Sequence, residues 1–429
     1  MGNSDLAGRV MSRSEQQDVG AAALPGGRTI SITTLFFSRM FTTAIFMTYP
    51  ACLAALRVEW GMTATEAGLV QTGFSVGFAV SLLVASWISD RFGPKRIFAW
   101  FNILSALAAL AFALFARSFE PALVLLTIVG VGQGGTYTPS IMLVAQNSPP
   151  ERRGAGVGWV VGGMSLGYLL SIALASGVTA TVGYREAFGI CALATVTGTL
   201  LGARAIHGVA DRAVGGARRI IAKFSMLRDR RSILLTVGYM GHCWELFGVW
   251  TWVPAFLTLS LHDHFDVGGI GLGGVWLGIA IAMALHLSGF LAAFSMGRTS
   301  DLTGRRIVLI CLAAIAMLCS FSFGWLGGLA PILLLGLATL YGFTTAGDSG
   351  VLSTAMTEAV PPDQLGRALG IRAILGIGVG AVAPASFGFV LDLSPDGNGW
   401  GWAFALLGVG GLIATVCALL LPPDRRDLV

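Results

Sequence analysis

Three side chains stand where an apolar sequence should exclude them. Arg39 follows Phe-Phe-Ser, Glu245 precedes Leu-Phe-Gly, and Asp348 follows Thr-Ala-Gly, each well inside a long run of otherwise uncharged residues. A charge placed in hydrocarbon costs about 3 kcal/mol on insertion scales unless it meets water or a partner, so each is a candidate for function. Arginine keeps its proton, which makes Arg39 either the counter-ion of a buried carboxylate or an anchor for an anionic ligand. The two carboxyls can switch, because desolvation favours the neutral form and a nearby cation the charged one. One of them can therefore carry a proton while a ligand competes for Arg39. His242 can tune Glu245 or act as a structural hydrogen-bonder, and His286 reads as structural. Gln133 and Tyr137 are candidate polar contacts, and Trp244 and Trp250 candidate cavity wall. No H-E-x-x-H, no G-x-S-x-G and no serine, histidine and acid at one span level suggests an enzyme.

The elements that hold these residues are membrane helices. Of 429 residues 55% are apolar and 11% charged, against roughly 25% charged in soluble proteins. The polar residues cluster between apolar runs of about 20 residues, long enough to cross ~30 Å of hydrocarbon. Hydropathy predicts 12 spans: 30–56, 67–89, 96–116, 121–146, 155–181, 184–206, 232–260, 271–296, 305–326, 331–357, 367–391 and 400–421. At ~1.5 Å per residue, Arg39, Glu245 and Asp348 all fall near mid-membrane. The fold class expected is all-α, with 12 transmembrane helices in two pseudo-symmetric six-helix bundles around a central cavity.

The two bundles follow from an internal repeat. Asp90-Arg91-Phe92-Gly93-Pro94-Lys95-Arg96 and Asp301-Leu302-Thr303-Gly304-Arg305-Arg306 lie about half the chain apart, and Pro149-Pro150 and Pro361-Pro362 repeat that offset to within one residue. Thr48-Tyr49-Pro50-Ala51 likewise resembles Trp252-Val253-Pro254-Ala255. On these registers Arg39 matches Cys243, between His242 and Glu245, and Asp348 matches Tyr137. A duplicated multi-span chain is read first as a transporter.

Charge sets the topology. The basic residues alternate by loop, and only Arg57, Arg117 and Arg185 fall on the minority side. This bias puts both termini in the cytoplasm and Arg367 and Arg372 among the cytoplasmic basic residues. The divisions expected are a disordered tail over 1–29, bundles over 30–206 and 232–421, a basic linker over 207–231 lying on the anionic inner leaflet, and a tail over 422–429. The basic residues form no nucleic-acid face. Six cysteines without C-x-x-C spacing read as buried hydrophobes, so no metal and no cofactor is expected.

The doubled D-R-x-G-x-K-R and D-x-x-G-R-R turns between spans 2 and 3 and spans 8 and 9, with 12 spans and a basic central loop, resemble the major facilitator superfamily. The resemblance implies that spans 1, 4, 7 and 10 line the cavity. It also implies that the turns, through Asp90, Arg91, Gly93, Arg96, Asp301, Gly304, Arg305 and Arg306, latch one closed state and release during rocking. An aspartate there can accept from backbone N–H groups at a neighbouring helix N-terminus, while glycine lets the hairpin reverse. The superfamily's glycine four residues before the aspartate is kept as Gly297 but is Ser86 in the first copy. The span-5 Gly-Pro-x-x-Gly-Gly of drug exporters is missing, since Gly162-Gly163 has no proline.

The function implied is secondary active transport by alternating access. The expectation is a proton-coupled monomer in a bacterial inner membrane, with uptake of a small organic or inorganic anion favoured. Export of a cationic or amphipathic compound is the runner-up, and a membrane receptor or sensor is the reading outside transport.

Overall fold

In the computed structural model, residues 29–211, 229–265, 272–361, 365–394 and 398–423 are described. The expected tails and most of the linker, 212–228, lie outside them. The first bundle holds α1 (Ile32–Glu59), α2 (Ala64–Phe92), α3 (Pro94–Phe115), α4 (Phe119–Asn147), α5 (Pro150–Thr181) and α6 (Tyr184–Ile206). The second holds α7 (Arg230–Phe265), α8 (Leu272–Ala282, continuing to Thr303), α9 (Arg305–Phe323), α10 (Pro331–Ala359), α11 (Leu365–Asp392) and α12 (Gly399–Leu420). Nine of these are long and apolar enough to cross a membrane, among the described residues; the other three are α4, α7 and α10.

Two helices break at mid-span. In α1 a 3-10 turn at Thr43–Ile45 separates Ile32–Thr42 from Thr48–Glu59, immediately after Arg39. In α8 a π-helical turn at Met283–Leu287 carries His286. Such interruptions free backbone groups and recur at functional sites, where they are tolerated because protein surrounds them.

Glycine sets the packing within the first bundle. A methyl group at Gly130 or Gly134 would overlap the carbonyls of Phe74 and Phe78, so α4 lies backbone to backbone against α2. Close approach of this kind is what holds helices together where lipid offers no hydrophobic drive. Gln133 ties the same helix to its other neighbours, donating to the Thr42 carbonyl at 2.8 Å and to Ser105 Oγ at 2.7 Å.

The bundles meet along a seam through α2 with α11, α5 with α8, and α1 with α7. The contacts lie toward the end opposite the basic turns, here called the far end. There Gly68 faces the Pro384 carbonyl, Gly388 faces Ala64, and Gly274 faces Ala180. The first turn of α2 is capped from both sides of the seam. Thr63 and Glu66 form a capping box, while Asp392 of α11 accepts from Ala64 N at 2.8 Å, Thr65 N at 2.7 Å and Thr65 Oγ1 at 2.7 Å. The N–H groups that a helix start leaves unpaired are thus filled partly by the other bundle.

The basic end is arranged differently in the two bundles. Gly93 and Gly304 take φ of 90° and 96°, where a side chain would be strained. The carboxylate at the start of α3 is Asp211, whose Oδ1 accepts from Lys95 N at 3.0 Å. Asp90, Arg91 and Arg96 are exposed. In the second copy Arg305 reaches Asp301 at 2.5 Å and Glu358 at 3.1 Å, and Arg306 donates to the Leu419 carbonyl at 2.8 Å. The capping role that the sequence suggested for Asp90 therefore falls to Asp211 in this conformation.

Candidate functional site

The break in α1 leaves Arg39 fully buried, 0% exposed, beside the seam. Its Nη1 donates to Thr136 Oγ1 of α4 at 2.5 Å, whereas Nε and Nη2 have no protein partner. Among the described residues it makes no ion pair. Tyr137 of α4 and Tyr168 of α5 lie within its electrostatic reach, and Tyr168 packs across the seam on Trp250 and His286, with ring centroids 5.8 Å away in each case. Phe46 closes this cluster against Tyr168 at 4.6 Å and Trp250 at 6.3 Å. His286 sits at the seam against Tyr168, and its buried Nε2 is likewise unpartnered. Arg39 is thus backed by one bundle and screened from the other by tyrosines.

The second bundle supplies a matching constellation. His242 Nδ1 lies 2.8 Å from Asp348 Oδ1, and its Nε2 lies 2.9 Å from Ser349 Oγ. A serine, a histidine and an acid are therefore brought together by α7 and α10, a grouping the sequence reading had excluded. His242 stacks on Tyr239 at 5.7 Å, and Tyr239 is in electrostatic reach of Tyr137 in the first bundle. Over Tyr239, at 4.2 Å from its ring centroid, lies the guanidinium of Arg372. Arg372 is 6% exposed, donates from Nη2 to Ser353 Oγ at 2.8 Å, and leaves Nε and Nη1 unpartnered.

Arg372 corrects the sequence reading, which placed it with the cytoplasmic basic residues. It lies inside α11, between Ile371 and Ala373 in an apolar run, and that position within the predicted span 367–391 was the available signal. With Arg39, Glu245 and Asp348 it makes four buried Asp, Glu, Lys or Arg side chains among the described residues of the spans.

The other candidates separate from this group. Glu245 is buried within its own bundle, accepting from Ser320 Oγ of α9 at 2.5 Å, with Tyr341 of α10 hydrogen-bonded to the same serine. His242 consequently pairs with Asp348 and not with Glu245. Trp244 turns the same way, donating Nε1 to the Leu406 carbonyl of α12 at 3.1 Å and packing on Gly410, so it is bundle packing and not cavity wall. Gln133 is tied into the first bundle, while Tyr137 stays beside Arg39. All six cysteines are free, and Cys311 faces outward from the apolar span α9. No group of three or more His, Cys, Asp or Glu that could hold a metal occurs among the described residues.

The comparisons agree with this arrangement of helices. The sequence profile described as Major Facilitator Superfamily matches residues 32–327 and 278–428.

The chain belongs to the major facilitator superfamily.

It is thus a multi-pass membrane transporter of the superfamily fold. It is 25% identical to the "Probable 4-methylmuconolactone transporter" of Cupriavidus pinatubonensis over 76% of this chain and 77% of that protein. It is also 25% identical to the "Cis,cis-muconate transport protein" of Acinetobacter baylyi, over 80% of this chain and 84% of the relative. Among solved structures, the nucleoside transporter NupG superposes with a TM-score of 0.71 at 12% identity, covering 91% of this chain and 98% of that one.

Proposed function

We propose that this superfamily member takes up a small organic anion by proton-coupled alternating access. The observation that carries the reading is Arg39: a wholly buried guanidinium at the seam, with two N–H groups that no protein atom satisfies. An uncompensated buried charge is costly, and a bound carboxylate offers the fork of acceptors that would relieve it. The names of the muconate and 4-methylmuconolactone relatives support an organic acid as cargo. Export of a cation has less support, because Glu245 accepts from Ser320 and the Asp348 carboxyl, though its Oδ1 accepts no aligned hydrogen bond, has His242 Nδ1 at 2.8 Å.

In this reading Asp348 is the proton carrier, with His242 on one side and Arg372 within electrostatic reach on the other. The bundles over 30–206 and 232–421 rock about the site, and the far-end contacts make the present conformation the one closed to the outside. The chain then sits as a monomer in a bacterial inner membrane with both termini cytoplasmic, as the basic loops imply.

The test is ligand-induced stabilisation of the purified protein. Carboxylates are expected to raise the unfolding temperature of the wild type, since a ligand at about 100 times its Kd adds ~2.7 kcal/mol. Arg39→Gln and Arg39→Lys should abolish the shift, the second because an ammonium cannot reproduce the planar fork. Stabilisation by organic cations and by no anion would refute the reading.

A further inference from the structure

The two bundles each set an arginine against a tyrosine: Arg39 within reach of Tyr137 and Tyr168, and Arg372 over Tyr239. Both guanidiniums are more than nine-tenths buried, and each has two nitrogens without a partner. Tyr137 and Tyr239 lie within electrostatic reach of each other, so each arginine has a tyrosine beside it and the two tyrosines belong to different bundles. Resting on the anion reading above, we propose that Arg372 is a second anion anchor and that the cargo is a dianion, with one acidic group held by each bundle.

Charge balance argues for the same cargo. Around Asp348 stand His242 of α7, Ser349 beside it on α10, and the apolar linings Leu309 and Ala313 of α9 and Ala414 and Cys417 of α12, with Cys243 and Glu245 of α7 and Arg372 of α11 within electrostatic reach. Arg372 is the one permanent cation among them. With His242 neutral and Glu245 protonated, a dianion on Arg39 and Arg372 neutralises both arginines, which leaves Asp348 to cross the membrane protonated. A monoanion leaves one guanidinium to pair with a charged Asp348, so it moves with no proton. Buried net charge is what the membrane penalises, and the dianion loaded with a proton is the neutral complex that also couples transport.

Matched acids test this. Binding of hexanoate and adipate is measured by calorimetry on the purified full chain, for wild type, Arg372→Gln and Arg39→Gln. Wild type is expected to bind adipate about ten- to a hundred-fold more tightly than hexanoate, the worth of one further charge-assisted contact. Arg372→Gln should lower adipate affinity by that factor and hexanoate affinity far less, bringing the ratio toward one. Arg39→Gln should weaken both. A ratio that Arg372→Gln leaves unchanged, or a wild type that binds the two acids equally, overturns the second anchor while leaving anion transport standing. A wild type that binds neither acid, nor any other carboxylate, overturns the anion reading itself. Residual hexanoate binding reports that Arg372→Gln is folded.

Discussion

Removing the far-end clasp should open the transporter on that side. Asp392 reaches across from α11 to accept two backbone N–H groups and one hydroxyl at the start of α2. A carboxylate at a helix N-terminus is worth about 0.3–1 kcal/mol through the dipole, and hydrogen bonds to a charged acceptor about 1.5–3 kcal/mol each when sheltered. Asp392 is exposed to solvent, so water replaces most of what is lost, and the net contribution is about 1 kcal/mol. That corresponds to roughly a fivefold change in a two-state ratio. Spin labels at the exposed far-end positions Val58 and Leu393, one on each bundle, report the separation by pulsed electron resonance. Asp392→Ala is expected to raise the ratio of long to short distances about fivefold, and Asp392→Asn, which keeps one acceptor oxygen, by less. Identical distributions in all three proteins, or a larger effect of asparagine than of alanine, would refute the reasoning.

Two further outcomes follow from the packing. Gly68→Ala places a methyl on the Pro384 carbonyl, so the same labels should report a far end held apart; an unchanged short distance contradicts this. Glu245→Leu leaves the Ser320 hydroxyl without its acceptor and should destabilise the fold by about 1–3 kcal/mol, visible as a lower unfolding midpoint. Glu245→Gln retains an acceptor and should cost less without altering the pH dependence of uptake; a loss of proton coupling in that variant would move the proton site from Asp348 to Glu245.

Span number, the doubling and the family were legible because apolarity and period are written locally along the chain. What the sequence could not give is which way each face turns. His242 and Glu245 are three residues apart on α7, about 60° around the helix axis. That angle is enough to send one toward α10 and the other toward α9 and α12. Arg372 was assigned to a loop because a basic residue near a span end reads as a topology marker, yet the helix continues past it and Tyr239 provides a ring beneath it. The aligned prolines show the same limit: Pro254 lies inside an unbroken α7, while α1, with Pro50 at its counterpart, is interrupted just before it. Asp211 and Asp392 lie outside the repeated turns that drew attention to Asp90 and Asp301, and their roles depend on chain segments that meet only in the fold.

The most direct measurement is accumulation in proteoliposomes under an imposed pH gradient. The probe is a labelled dicarboxylate that raises the wild-type unfolding temperature. Wild type should concentrate it inside while the outside is acidic, whereas Asp348→Asn should exchange labelled for unlabelled acid yet accumulate none. Wild-type vesicles that gather no carboxylate under the gradient, or Asp348→Asn vesicles that gather as much as wild type, would contradict proton-coupled anion uptake through this site.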